Sequence, residues 1–308
     1  MIAHDKTRLT TRLGQGQYHH TPVMLHEAMA FLRPERGGVY FDCTCGEGGH
    51  SEAILRASSD SKTVCMDLDL NMLMVAKERF KEFEGRTWFV HTNFADIDKA
   101  ASLANVTNSD GILMDLGISM AHLKSEKRGI TFMEDQPLDM RLDVNRGEPA
   151  HSILSRIKFE ELARIISEYG EERFAGKIAR AIINAREKEP INTTGQLVKI
   201  ISSVVPRSGR INPATRTFQA LRILVNQELE SLEEAIPKCL DLLGWDGTLV
   251  VISYHSLEDR IVKNAFKNAA DKGFEILTKK PLCPSEEEIE ANPASRSAKM
   301  RAIRRKGG

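Results

Sequence analysis

The chain has 308 residues, 41% of them hydrophobic, which is ample for a buried core, so we do not expect a disordered protein. Lys plus Arg number 43, and so do Asp plus Glu. The net charge therefore gives no argument for a nucleic-acid partner, and any basic surface must be local. The sequence has no 18-residue apolar run, and its first residues are polar. We therefore predict a cytoplasmic protein without a signal peptide or membrane span.

The first predicted elements lead into a glycine-rich turn. Residues 1–18 lack periodicity and are predicted to be a flexible lead, after which Thr21 and Pro22 predict the start of a helix that Pro34 closes. An apolar strand beginning at Val39 then ends at Asp42.

The turn that follows contains Gly46, Gly48, Gly49 and His50, and a helical pattern begins at Ser51. Glycines there let backbone amides approach a ligand at the positive end of a helix, which predicts a cofactor-binding turn. Ser51 stands where a dinucleotide fingerprint has glycine or alanine, which disfavours NAD and FAD.

Strands and helices alternate up to residue 116, which predicts a doubly wound parallel sheet of the Rossmann-like α/β class. Helices are predicted at 51–57, 70–83 and 95–104, and strands at 63–67, 87–91 and 111–116. Asp42, Asp67 and Asp115 would then end three strands at the edge where open α/β sheets bind ligands. A carboxylate at Asp67 can accept hydrogen bonds from ribose hydroxyls, which NAD and S-adenosylmethionine both carry.

The alternation stops near residue 119. Helical patterns near 159–187 and 195–205 predict a helical insertion domain at 120–215, within a parent α/β domain of 19–119 and 216–308. The parent resumes with a predicted helix at 214–235, another begun by Pro237, a strand at 248–253, a helix with the capping pattern Ser256-x-x-Asp259, and an edge strand at 274–278. Residues 296–306 read as a basic tail.

The five cysteines are an odd number, which favours free thiols over disulfides. Cys43 and Cys45 are one residue apart without a nearby second pair, which is poor zinc geometry, so we predict no metal.

Several motifs follow one another in a fixed order. They are Asp42-x-Thr44-x-Gly46-x-Gly48-Gly49-His50-Ser51, Asp115-Leu-Gly-Ile-Ser119, Pro137-Leu-Asp139-Met-Arg141, Tyr169-Gly-Glu-Glu-Arg173, Asn226-x-Glu228-Leu229 and Ser253-x-His255-Ser-Leu-Glu-Asp-Arg260. Together they resemble the bacterial 16S rRNA (cytosine-N4)-methyltransferases, the small-subunit rRNA methyltransferase H family. The resemblance covers nearly everything from Tyr18 to Arg301.

This resemblance implies an S-adenosylmethionine-dependent enzyme that methylates the exocyclic N4 of one cytidine in the decoding region of 16S rRNA, within the small ribosomal subunit. It implies that the helical insertion helps to recognise RNA. It also implies that Gly48, Gly49 and His50 form the turn over the methionine part of the cofactor, that Asp67 binds ribose, that Phe94 lies near adenine, and that Asp115 is a further cofactor contact. The family usually has glutamine where His122 stands, and imidazole can still make one such bond.

The acceptor for the amine protons is less defined. Asp115 and Asp139 are the candidate catalytic carboxylates, but a strand-end aspartate can merely cap a turn, and Asp139 can form a structural pair with Arg141. Arg141, His255 and Ser256 are candidate substrate-binding residues, although Ser256 can instead cap a helix.

Basic residues are candidates for RNA phosphate contacts, namely Arg207, Arg210, Arg216, Arg222 and the basic tail. Two other functions stay open: methylation of DNA or protein, and a non-catalytic RNA-binding role in ribosome assembly. The sequence leaves the oligomeric state undefined, a homodimer being one option.

Overall fold

The computed structural model describes residues 21–117, 128–206 and 212–307. Within these ranges seven strands form one sheet in the order β3-β2-β1-β4-β5-β7-β6. They are β1 Gly38–Asp42, β2 Ser61–Asp67, β3 Thr87–His91, β4 Ser109–Asp115, β5 Leu243–Ser253, β6 Phe274–Ile276 and β7 Lys299–Arg305. Strands β1 to β5 pair in parallel, and β7 is antiparallel to both of its neighbours.

The helices of the described ranges lie between and after these strands. They are α1 Leu25–Leu32, α2 Gly49–Ala57, α3 Leu70–Arg79, α4 Ile97–Leu103, α5 Ala150–Arg156, α6 Phe159–Gly170, α7 Ala175–Arg186, α8 Thr194–Val204, α9 Thr215–Asn226, α10 Glu228–Leu242, α11 Ser256–Ala270 and α12 Glu286–Ala291. No helix among the described residues has both the length and the apolar character that crossing a membrane requires.

Helices cover both faces of the sheet. Adjacent side chains of a strand point to opposite faces, and in β1 Phe41 joins the core under α4, α10 and α11 whereas Tyr40 joins the core under α1 and α2. This arrangement confirms the predicted doubly wound α/β class. The predicted alignment of Asp42, Asp67 and Asp115 at one edge is confirmed too, because they are the last residues of β1, β2 and β4.

A separate hydrophobic core joins helices α5 to α9, between β4 and β5 in the chain. The predicted helix at 214–235 is wrong, since Gln227 adopts a left-handed conformation (φ 50°) and separates α9 from α10. Pro237 lies inside α10 and does not begin a helix. Phe218 and Leu221 place α9 in the helical core, while Leu232 places α10 against the sheet. The proposed domain boundaries at 119/120 and 215/216 stay predictions.

Some predicted starts and ends of elements differ from the structure. Helix α1 begins at Leu25 and not at the predicted Thr21 cap, because Met24 is left-handed (φ 50°) and its amide donates to Glu288 in α12 at 2.7 Å. Helix α2 begins at Gly49, two residues before the prediction. Short 3₁₀ turns account for the end of the predicted helix at 70–83 and for the start of the one at 95–104. Helices α5 and α12 were not predicted.

The predicted basic tail is a strand inside the sheet. Strand β7 lies between β5 and β6, with Met300 and Ala302 buried on one face and Ile303 on the other. Its arginines are paired internally: Arg301 binds Asp259 at 2.6 Å and Arg304 binds Glu275 at 2.6 Å. Basic residues alternate here with apolar ones, which made the strand hard to recognise from the sequence. The ion pairs allow the arginines to lie inside the sheet.

Candidate functional site

The chain between β1 and α2 makes a tight turn that contains Gly46 and Gly48, and Gly49 begins α2. Gly46 and Gly48 have φ values of 53° and 85°, in the left-handed region that strains other residues. A Cβ atom at Gly46 would meet no atom within 4 Å. At Gly48 a Cβ atom would lie only 2.4 Å from the Phe80 ring, and at Gly49 a Cβ atom would lie 2.4 Å from Pro22. Gly46 therefore leaves space beside the turn, whereas Gly48 and Gly49 let the start of α2 pack closely.

Asp42 supports this turn from inside the protein. Its carboxylate accepts hydrogen bonds from the Ser51 hydroxyl at 2.7 Å and the Thr44 amide at 3.3 Å. Burial raises the pKa of Asp42, although His50 and the two donors act in the opposite direction. Ser51 thus has a structural role at the position where a dinucleotide fingerprint would have a smaller residue.

A first cleft runs along the carboxyl ends of β1 to β4. It is open to solvent and brings together four predicted cofactor residues: Gly46, Asp67, Phe94 and Asp115. Asp67 accepts the amide of Gly46 at 2.7 Å and that of Asp69 at 2.8 Å. Its carboxylate therefore fastens the glycine turn to the end of β2 while also lining the cleft.

A second cleft opens beside the same turn. Its wall includes the predicted residues Gly46, Gly49, His50 and Asp115, together with Tyr254 from the end of β5. Residues common to both clefts are Thr44, Gly46, Asp115, Leu116 and Gly117. The two clefts therefore meet where β1 and β4 end.

Asp115 is held between several groups at this meeting point. The Tyr254 hydroxyl donates to Asp115 Oδ1 at 2.8 Å, and the amide of Asp115 donates to the Thr44 hydroxyl at 2.6 Å. Burial and the negative charge of Asp115 raise the pKa of Tyr254, so the phenol stays a donor. His50 Nε2 lies 3.0 Å from the Val23 carbonyl, which can only accept, so Nε2 carries a proton and Nδ1 faces Asp115 Oδ2 at 4.0 Å.

Two glutamates line the first cleft opposite the glycine turn, Glu228 at the start of α10 and Glu258 in α11. Arg222 binds Glu228 through two hydrogen bonds of 2.8 and 2.9 Å, and Glu258 accepts the amides of Tyr254 and His255. Glu228, Glu258 and His255 have potential metal-ligand atoms within 4.8 Å of one another. Both carboxylates already bind protein donors, so we assign them to the cleft wall and not to a metal.

His255 and Ser256 do not lie among the residues that line either cleft. His255 is the N-cap of α11 and forms a capping box with Glu258, so the predicted capping pattern starting at Ser256 is wrong by one residue. The Ser256 hydroxyl instead donates to Glu171, at the end of α6, and this bond lowers the pKa of Glu171. It connects the helical core to the sheet domain, and the proposed substrate contacts of both residues stay predictions.

Asp139 and Arg141 form a bidentate ion pair, with nitrogen–oxygen distances of 2.7 and 2.8 Å. Burial acts to raise the pKa of Asp139, but the bonds from Arg141 outweigh it and lower that pKa. Neither residue lines either cleft. This is the structural pair that the sequence left open as an alternative to catalysis, and the catalytic role of Asp139 remains untested.

Three residues from the predicted sites, His122, Arg207 and Arg210, lie outside the described residues. Arg216 donates to the Glu171 carbonyl at 3.0 Å, and Arg222 is the partner of Glu228. With the arginines of β7 also paired, most of the described cations predicted to bind phosphate already have protein partners.

The cysteines are free, as predicted. Cys43 contacts Cys239, and Cys45 contacts Cys65, so the two thiols of Cys43-x-Cys45 face different neighbours. Burial is the main cause that raises the pKa of Cys43, and the contact with Cys65 is the main cause for Cys45.

Comparison of the sequence with models of protein families identifies the family of this chain. Residues 17–306 match the model of the MraW methylase family. The chain belongs to this family.

Relatives in the family are similar over nearly their whole length. Each of the following carries the name ribosomal RNA small subunit methyltransferase H. The protein of Sulfurihydrogenibium sp. strain YO3AOP1 is 47% identical over 93% of this chain and 99% of its own. The Thermotoga neapolitana protein is 46% identical over 92% and 95%, and the Citrifermentans bemidjiense protein 44% over 93% and 98%.

Solved structures resemble the chain more distantly. An rRNA methylase from Streptococcus thermophilus has a TM-score of 0.45 and 11% identity, covering 94% of this chain and 99% of its own. A methyltransferase from Streptococcus mutans, solved in complex with SAH, has a TM-score of 0.45 and 12% identity, covering 93% and 99%.

Sequence reasoning missed Glu228 and Glu258 as parts of the first cleft and Tyr254 as part of the second. Tyr254 directly follows β5, and the rule that parallel strands place ligands at their carboxyl ends could have identified it. Glu228 and Glu258 belong to two of the ordered motifs, yet only the tertiary structure shows that they meet across the cleft.

Proposed function

We propose that this methylase transfers a methyl group from S-adenosylmethionine to the exocyclic N4 of one cytidine in the decoding region of 16S rRNA, in the small ribosomal subunit. Membership of a methylase family and the names of its relatives support rRNA methylation. The observation that carries the finer proposal is that two clefts meet at Asp115, where His50 Nδ1 and Asp115 Oδ2 lie 4.0 Å apart. The reaction would take place in the cytoplasm.

The first cleft fits S-adenosylmethionine. The open side of Gly46 admits a ligand close to the backbone, Asp67 offers a carboxylate for the ribose hydroxyls, and Phe94 offers a ring face for adenine. The methionine part would then extend along the glycine turn toward Asp115. Gly48, which packs against Phe80, and Gly49 would shape this turn without necessarily touching the cofactor.

The second cleft would receive the cytosine. Its amine carries two N–H donors, and the His50 Nδ1 and Asp115 Oδ2 atoms can both accept hydrogen bonds. Tyr254 and Thr44 bind other atoms of Asp115, which fixes the carboxylate in place. An amine bound by these two acceptors would point its nitrogen toward the first cleft, where the clefts join.

Cytosine N4 is a weak nucleophile because its lone pair is delocalised into the ring. Bound S-adenosylmethionine supplies a methyl group on a sulfonium, which reacts by in-line displacement. Acceptors that hold the amine protons favour pyramidal nitrogen, and Asp115 or His50 would take the proton that the nitrogen loses after transfer. The walls around the joined clefts would orient the two reactants. A base stacked in a helix could not reach this site, so the cytidine must be unpaired or flipped.

Asp115 is therefore the preferred catalytic candidate over Asp139. Asp115 lines both clefts, while both oxygens of Asp139 bind Arg141 away from the cleft walls. His50 is the second candidate for proton transfer, because its Nδ1 faces the same carboxylate.

The test incubates the purified protein with labelled S-adenosylmethionine and unmethylated small subunits, and identifies the methylated rRNA nucleosides by mass spectrometry. We expect N4-methylcytidine at one site. Methylation of another base, of DNA or of a ribosomal protein would contradict the proposed substrate. Cofactor binding without any transfer to subunits or free 16S rRNA would contradict the proposed reaction, and absence of both would favour a non-catalytic assembly role.

A matched pair of variants tests the site within the same assay. Asp115→Asn should slow single-turnover transfer by at least about a hundredfold, within the range typical of general acid–base groups. Asp139→Asn makes the same chemical change outside the clefts and should leave the single-turnover rate within about threefold of the parent. The opposite order of effects would assign the amine to Asp139.

A further inference from the structure

Three exposed cations lie in a row at the start of α7 and are held over aromatic rings. The Arg173 guanidinium lies 4.6 Å and the Lys177 ammonium 5.6 Å from the centre of the Phe174 ring, and the Arg180 guanidinium lies 4.3 Å from the centre of the Phe159 ring. We refer to Arg173, Lys177 and Arg180 as the α7 stripe. None of the three forms an ion pair with a residue in the described parts of the chain, in contrast to Arg222, Arg301 and Arg304.

Two of the stripe's charges, Lys177 and Arg180, are three residues apart and lie on one side of α7, and the opposite face of the helix packs into the helical core through Ile178, Ala179 and Ile182. Arg173 lies in the turn just before the helix and shares the Phe174 ring with Lys177. From Lys177 to Arg180 the rise along the helix axis is about 4.5 Å, so the two charges lie close together at the start of the helix. Contact with the rings restricts the side chains, so less conformational freedom remains to be lost on binding.

The chain just before the stripe contacts α11, the helix that contributes Glu258 to the first cleft. Glu171, two residues before Arg173, accepts the Ser256 hydroxyl and pairs with Arg260 at 3.4 Å. Ser256 starts α11, whose Glu258 lines the first cleft. A strand whose target base enters the joined clefts could therefore continue onto α7 with its phosphates on the stripe.

We infer that the α7 stripe binds the phosphates of single-stranded rRNA next to the target cytidine. This inference rests on the proposed function, because it takes rRNA as the substrate. Exposed cations that have no ion pair with a described residue match the negative charge of phosphates. The site would fix the position of the strand without reading its sequence.

The test compares two triple variants that remove the same charge. The stripe variant carries Arg173→Gln, Lys177→Gln and Arg180→Gln. The control carries Lys263→Gln, Lys267→Gln and Lys272→Gln, exposed lysines in and just after α11 that have no ion pair with a described residue. Equilibrium binding to 16S rRNA and to unmethylated small subunits is measured over a range of salt concentrations, with cofactor affinity and thermal unfolding as checks on folding.

Three single-strand phosphate contacts contribute a slope of about 2 to the dependence of log affinity on log salt, equivalent to about fiftyfold in affinity near 0.15 M salt. We expect the stripe variant to lose up to about that factor and its slope to fall by about 2. Its methyl-transfer rate at saturating substrate should be unchanged and its KM raised. The control should stay within about threefold of the parent protein.

Unchanged binding and slope in the stripe variant would overturn the inference, as would an equal loss in the control, which would indicate a general effect of net charge. Failure of the proposed function gives a different result, because the parent protein would then not methylate small subunits at all. In that case the salt slope on 16S rRNA still decides whether the stripe binds RNA.

Discussion

Asp67→Asn separates cofactor binding from general stability. The Asp67 carboxylate accepts two amides, Gly46 at 2.7 Å and Asp69 at 2.8 Å, and is 9% exposed at the cleft wall. The amide side chain of asparagine keeps one acceptor oxygen but presents an NH₂ donor to the second partner. Weakening a hydrogen bond to a charged group costs about 1.5–3 kcal/mol, and a ribose hydroxyl would lose a charged acceptor as well.

If the binding free energy of S-adenosylmethionine is reduced by about 1.4–2.8 kcal/mol, its Kd rises about 10- to 100-fold. Isothermal titration calorimetry measures it directly. Asp69→Asn is the matched control: Asp69 is 3% exposed, caps α3 by accepting the Asn71 amide, binds Arg128, and lines neither cleft.

The control should lower the temperature of thermal unfolding while leaving the cofactor Kd within about threefold of the parent. A Kd for Asp67→Asn within twofold of the parent value would remove Asp67 from the cofactor site. Equal weakening by both variants would show that the effect passes through the stability of the region and not through a contact at Asp67.

Three further predictions concern the groups around the clefts. Asp139 has a lowered pKa, so its ion pair stabilises the fold above the ordinary pKa of 3.8 and loses that contribution as the pH falls through the folded-state pKa. The difference in unfolding free energy between the parent and Asp139→Asn should be about 1 kcal/mol at pH 7 and shrink steadily as the pH is lowered below 3.8 in denaturant titrations, and a constant difference would contradict it. Tyr254→Phe removes the hydrogen-bond donor to Asp115, and such a bond is worth about 1.5–3 kcal/mol. The variant should slow single-turnover transfer about tenfold or more with little change in cofactor Kd. An unchanged rate would show that the Asp115 carboxylate does not depend on this hydrogen bond. Arg222→Gln and Glu228→Gln should each lower the free energy of unfolding by about 2–3 kcal/mol. In a double-mutant cycle of chemical unfolding, the double variant should lose less than the sum of the two single losses. Strict additivity would show that the pair is not coupled.

The sequence predicted the sheet and the cofactor edge because the signals for both are local. Apolar strands alternating with helical periods define a parallel sheet, and parallel strands must bring their carboxyl ends to one edge. Asp42, Asp67 and Asp115 could therefore be placed together before any coordinates existed, as could the glycine turn beside them. The ordered motifs added the family, which the comparisons confirm.

Other features depended on contacts between residues far apart in the chain. The amide of Met24 is bound by Glu288, so the start of α1 is set by a helix near the other end of the chain. The basic composition of β7 does not indicate a strand inside the sheet. Arg301 and Arg304 become compatible with that position only because they pair with Asp259 and Glu275. Local composition cannot show such pairing.

For the candidate catalytic centre too, the sequence determined some features and the tertiary structure others. The sequence by itself placed Asp115 at the end of a strand, because strand periodicity fixes that position. Only the tertiary structure decided that Tyr254 would hold it, that His50 would face it, and that Asp139 would instead bind Arg141. The physical reason is that hydrogen bonds act over about 3 Å, so the partner of a side chain is chosen by the packing of distant segments and not by its neighbours in the chain.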